Sequence, residues 1–158
     1  MTVELIKTGA AATGENWRDN WQTPPEILDR VNEFWPSGWL DPCPPDPTFD
    51  GLKKKWAQQA FINPPFSQYL KWLLHGLTQK PEQIWIGHHS HDTQAGRLLL
   101  NASRAAILLK DRVDFIHPET GEPCGGSAIG KCQTLWYIGY RLKDFKEAFG
   151  PLGHYVEL

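Results

Sequence analysis

Four short and almost wholly apolar runs govern what this chain can become: AFI at 60–62, IWIG at 84–87, AAILL at 105–109 and TLWYI at 134–138. A strand with one wet face shows a polar residue at every second place. These runs do not, so each reads as a strand covered on both sides. Stretches with helical spacing lie between them. TPPEILDRVNEFW sets Ile27, Leu28, Val31, Phe34 and Trp35 at that spacing, behind Thr23 as an N-cap and prolines in the first turn. SQYLKWLLHGLTQ repeats the pattern through Tyr69, Leu70, Leu73, Leu74 and Leu77, and DTQAGRLLLNAS and KDFKEAFG read as shorter helices. Buried strands separated by helices predict an α/β domain with a mostly parallel sheet and helices packed on both its faces.

A chain of 158 residues with 41% hydrophobic content suits one compact domain with its own core. Residues 1–16 are small and polar without a period, so a flexible N-terminal tail is expected ahead of a single domain over 17–158. No apolar run reaches 18 residues and no apolar leader core opens the chain, so the cytoplasm is the expected compartment and no membrane partner is expected. Cys43, Cys124 and Cys132 are unevenly spaced and read as free thiols. The net charge of -2 gives no global pull toward nucleic acid, which leaves Lys53, Lys54 and Lys55 as the one dense basic patch.

The run at 60–62 is stopped abruptly by Asn63, Pro64, Pro65 and Phe66. Each proline fixes its own φ, removes an N–H and restricts the residue before it, so the backbone after Asn63 is stiff and extended. An Asn side-chain oxygen beside an unpaired backbone carbonyl makes two acceptors suited to an –NH₂ group, and Phe66 adds a flat apolar face for a planar ring. In a sheet of the expected kind ligands bind where strands end, and Asp41, which closes the apolar approach SGWL, is expected at the same edge as Asn63.

NPPF resembles the hallmark of the amino-directed S-adenosylmethionine-dependent methyltransferases, an Asp, Asn or Ser followed by Pro-Pro and an aromatic residue. The order WQTPPEIL, WLDPC, DGLKKKW, FINPPFS, HDT and KDRVDF is similar to that of small phage-type DNA N6-adenine methyltransferases. The resemblance covers roughly residues 17–140. It implies a compact Rossmann-like methyltransferase fold, reduced in size, and transfer of a methyl group from S-adenosylmethionine to the N6 amine of adenine in DNA. By the same resemblance the Asn63 side chain and the Pro64 carbonyl grip the amine, Pro65 stiffens the clamp, and Phe66 stacks on a base taken out of its duplex. Trp21, Thr23 and Pro24 then help to hold the methionine end of the cofactor. Asp41 and Pro42 belong to the first cofactor strand, Asp50 stands in for a ribose-binding acid, and Lys53, Lys54 and Lys55 meet the DNA.

Two features keep other readings open. Asp41 is followed by Pro42, Cys43, Pro44 and Pro45 in place of the glycines usual in that family, which leaves a binding or decoy protein without turnover as one alternative. A glutamine amide in a protein poses the same chemical problem as an aromatic amine, so protein glutamine methylation is another. His88, His89 and His91 stand close together, but without the spacing of a structural zinc site they read as loop residues beside the pocket, and no metal is expected.

Overall fold

The computed structural model describes residues 20–45, 47–125 and 132–158, so the expected tail over 1–16 lies outside the described residues. The described elements are α1 (Pro25–Phe34), β1 (Ala60–Ile62), a 3-10 turn (Phe66–Gln68) leading into α2 (Tyr69–Gly76), β2 (Gln83–His88), α3 (Gln94–Ala102), β3 (Ala105–Leu109), β4 (Gln133–Ile138), α4 (Leu142–Phe149), a second 3-10 turn (Gly150–Leu152) and β5 (Gly153–Glu157). None of these helices is long and apolar enough to cross a membrane.

The five strands lie in the order β1-β2-β4-β3-β5. Only β1 and β2 pair in parallel; β4 runs antiparallel to both β2 and β3, and β5 antiparallel to β3. This corrects the expected mostly parallel, Rossmann-like sheet: the domain is a small α/β fold with a mixed sheet. The reason is physical. A strand covered on both faces reads as an unbroken apolar run whichever way its neighbours point, so the four runs carry burial but not direction. The segment AAILLKDRVDF is strand only to Leu109; the chain then leaves the sheet and returns as β4, which slots between β2 and β3. Because β2 and β3 are each antiparallel to β4, they point the same way, and β1 with them. The carboxyl ends of all three meet at one edge.

Helices cover both faces. On one, Ile27, Val31 and Phe34 of α1 and Phe145 and Phe149 of α4 pack with Ile84, Ile86, Leu135 and Tyr137. Phe34 sits at the centre of this layer, its ring 5.2 to 6.1 Å from those of Trp35, Tyr137, Phe145 and Phe149. On the other face, Trp72 and Leu73 of α2 and Leu99 of α3 close over Ile62, Trp85 and Trp136. Each large side chain so buried contributes roughly 1.5–3 kcal/mol.

The start of α1 differs from expectation in a way that matters for the site. The N-cap is Pro24, whose carbonyl accepts from the Ile27 N–H at 3.1 Å, and no side chain caps the helix. Thr23 stands one residue further out with its hydroxyl committed elsewhere. At the edge remote from the three carboxyl ends, Glu82 accepts hydrogen bonds from Trp35 Nε1 at 3.1 Å, from Arg141 Nη2 at 3.0 Å and from the Tyr137 hydroxyl, tying the start of β2 to α1 and α4.

Candidate active site

The carboxyl edge is assembled from three parts of the chain. Leu40 forms an isolated parallel bridge with Ala60, its N–H donating to Gln59 O at 2.8 Å and its carbonyl accepting from Phe61 N at 3.1 Å. The chain through Leu40 therefore runs beside β1, and Asp41 and Asn63 leave the sheet at the same edge. Trp21, Thr23, Asp41, Cys43 and Asn63 line one small cavity of about 110 Å³.

Within it the Asn63 carboxamide is locked. Its Nδ2 donates to the Trp21 carbonyl at 3.0 Å and to the Thr23 hydroxyl oxygen at 3.0 Å. A carbonyl only accepts, so the NH₂ end must face Trp21 and the oxygen must face away. That Oδ1 accepts no hydrogen bond from any described residue. Behind it Pro64 and Pro65 are buried, and the Pro65 carbonyl accepts from Gln68 N at 3.0 Å, which starts the turn into α2.

Cys43 joins the two strand ends. Its N–H donates to Asp41 Oδ1 at 3.0 Å, and its thiol donates to the Asn63 carbonyl at 3.3 Å. The proline-rich loop is further pinned at Gly51, where a Cβ would lie 2.0 Å from the Pro42 carbonyl oxygen; only glycine lets the two backbones touch. Nothing in the sequence marks the Trp21 carbonyl or the Cys43 thiol as partners of Asn63. The first is backbone, and the second acts across a fold the sequence does not display.

Phe66 faces a larger cavity of about 380 Å³, lined also by Ser67, Tyr69, His88, Ser90 and Thr93. Its half-buried ring lies 5.0 Å from that of His88 and edge-on to Phe115 at 6.0 Å, and Phe115 in turn stacks on Trp21 at 6.0 Å. The four residues from Asn63 to Phe66 thus run from the small cavity to the large one. The floor of the large cavity is fixed by the Tyr69 hydroxyl, which donates to Ile86 O at 2.9 Å; burial holds that phenol far above its ordinary pKa. His88 continues the face of Ile84 and Ile86 by the period of two, a signal legible in the sequence once the strand is recognised.

The remaining sequence candidates lie apart. Pro24 lines a separate groove with Ile27 and Leu109. Pro42 is buried in the loop after Asp41. Asp50 turns onto its own loop, accepting from Leu52 N at 3.0 Å and pairing with Lys53 at 3.7 Å, and does not line the Asn63 cavity. Lys53, Lys54 and Lys55 are exposed, with Lys54 Nζ 4.3 Å above the Phe49 ring. His89 stacks on Trp136 at 5.9 Å and meets Thr134 Oγ1 at 3.2 Å, with the His91 ring 6.3 Å away. Among the described residues no three His, Cys, Asp or Glu side chains gather as a metal-ligand set. The chain matches no protein-family model, no curated protein and no solved structure.

Proposed function

We propose that the chain is an S-adenosylmethionine-dependent methyltransferase acting on the N6 amine of adenine in DNA. The reading rests on one observation: Asn63 spends both amide hydrogens on Trp21 and Thr23 and so holds its oxygen outward as an acceptor beside a stiff Pro-Pro segment.

The small cavity suits the amino-acid end of the cofactor. Thr23 accepts from Asn63 and keeps its own hydroxyl proton to donate to a carboxylate, while the Asp41 carboxylate complements an ammonium group. A volume of about 110 Å³ takes that end and no more, which leaves the rest to the open edge. When bound, S-adenosylmethionine supplies an electrophilic methyl group. The chain supplies position and electrostatics.

An aromatic amine is a poor nucleophile because its lone pair is delocalised into the ring. Asn63 Oδ1 and the Pro64 carbonyl accept the two amine hydrogens, favour a pyramidal nitrogen and fix the direction of the freed lone pair. Phe66, at the mouth of the larger cavity, supports the face of a base that has left its stack. Lys53, Lys54 and Lys55 contact backbone phosphates.

The test is incubation with S-adenosylmethionine carrying a tritiated methyl group and unmethylated DNA. Label recovered in DNA supports the reading; label recovered on protein transfers it to glutamine methylation. Binding without turnover is a second reading, favoured by the glycine-poor loop after Asp41, where Pro42, Cys43, Pro44 and Pro45 follow directly. Calorimetry decides it, since no heat up to millimolar cofactor favours a decoy.

A further inference from the structure

Asn63 Oδ1 and the Pro64 carbonyl are joined by a short run of torsions, and the fold holds nearly all of them. The Asn63 side chain is fixed by the Trp21 carbonyl and the Thr23 hydroxyl, each at 3.0 Å. The Pro64 ring sets its own φ, and Pro65 confines the ψ of Pro64 to extended values. What is left is ψ of Asn63, the rotation that swings the Pro64 peptide about the Asn63 Cα–C bond. A following proline narrows that torsion but still leaves a range of about 40°.

The same rotation carries the Asn63 carbonyl, and this is the atom that Cys43 holds, its Sγ donating at 3.3 Å. The thiol is itself well placed. The Cys43 N–H donates to Asp41 Oδ1 at 3.0 Å, which fixes the backbone on one side. The side chain is 2% exposed and packs in the layer of Ala60, Ile62, Trp72 and Leu73, which fixes it on the other. A buried side chain in a close-packed layer has little freedom to turn, so its weak donor is a steady one.

We infer that Cys43 is a positioning residue for methyl transfer: its thiol sets ψ of Asn63, and with it the angle between Asn63 Oδ1 and the Pro64 carbonyl. This deepens the amine-clamp reading of the site and rests on it. Two acceptors act together only when they converge on one nitrogen. A pair turned by about 20° leaves the base against Phe66 but no longer directs the lone pair, so the loss falls on the reacting step rather than on binding. The cofactor side is spared, because the bond from residue 43 to Asp41 is made by a backbone N–H that every side chain at that position keeps.

The test compares the native chain with Cys43→Ala and Cys43→Ser in steady-state methyl transfer to unmethylated DNA. Cys43→Ala is expected to lower kcat about tenfold and to leave KM for S-adenosylmethionine and for DNA within about twofold. Cys43→Ser, whose hydroxyl donates to the same carbonyl, is expected to recover part of that rate, although a hydroxyl in an apolar layer gives it the lower melting temperature of the two. An unchanged kcat in Cys43→Ala, a change confined to KM, or rates that follow the melting temperatures overturns the inference. The contact itself is read by infrared spectroscopy, since the difference between the native and Cys43→Ala spectra isolates one S–H stretching band. That band is expected at lower frequency than in a cysteine peptide in water, and an unshifted band overturns the inference alone. A shifted band with no methyl transfer by the native chain sinks the methyltransferase reading, and the positioning role falls with it.

Discussion

The side-chain nitrogen of Asn63 lies 3.0 Å from the hydroxyl oxygen of Thr23, forty positions earlier in the chain. A helix-cap residue by its sequence context, Thr23 instead orients the carboxamide proposed to grip the substrate amine. Asn63→Ala removes the acceptor and is expected to lower turnover by about 10²-fold or more, with folding little changed. Thr23→Val keeps the acceptor but frees one end of the amide, for a smaller loss of about tenfold in kcat. A calorimetric scan beside the rate assay separates these effects from unfolding.

Asp is interchangeable with Asn in the motif that NPPF resembles, but the hydrogen bonds here forbid it. Asn63→Asp sets a carboxylate oxygen against the Trp21 carbonyl, acceptor against acceptor, and is expected to cost about 1–3 kcal/mol of stability as well as activity. Chemical denaturation of the two proteins measures the difference. A variant as stable and active as the native chain contradicts the described orientation of the amide.

Much of this was legible in the sequence and some was not. The apolar runs located four of the five strands, and helical spacing located α1 and α2, because burial on both faces and on one face leave different periods. Strand direction was hidden for the reason given above, and β5, a half-exposed edge strand, offers no apolar run to detect. At the site, Asn63, Thr23 and Asp41 were visible as residue types with a chemistry. Their partners Trp21 O and the Cys43 thiol were not, since a backbone carbonyl carries no residue signal.

Glu82 gives the fold a pH signature. Burial pushes its carboxyl pKa up, but the hydrogen bonds from Tyr137, Arg141 and Trp35 and the charge of Arg141 together hold it below the ordinary carboxylate value. A depressed folded pKa means stabilisation that is complete above the unfolded value of about 4.3 and fades as pH falls toward the folded one. Melting temperatures taken between about pH 6 and pH 2.5 are expected to fall more steeply for the native chain than for Glu82→Gln. Parallel curves count against this role.

Gly51→Ala forces the backbone at Pro42 to move, since its Cβ would lie 2.0 Å from the Pro42 oxygen. A loss of roughly 1–3 kcal/mol in stability is expected. Displacing the loop that carries Asp41 is expected to weaken S-adenosylmethionine binding more than DNA binding. Calorimetric titration with each ligand tests the order.

Lys53, Lys54 and Lys55 are exposed and only loosely engaged by protein, so they are available to phosphates. Replacing all three by alanine is expected to weaken DNA binding similarly for every sequence and to flatten its salt dependence, by about 0.9 in log–log slope for each duplex phosphate no longer neutralised. An unchanged slope removes them from the interface.

The role proposed for Asn63 is tested most directly by identifying the methylated nucleoside. Unmethylated DNA treated with the native chain and S-adenosylmethionine, digested and resolved by mass spectrometry, is expected to yield N6-methyladenine, with Asn63→Ala yielding almost none. A methylated cytosine, methylation confined to protein, or equal yields from the two chains would contradict the account.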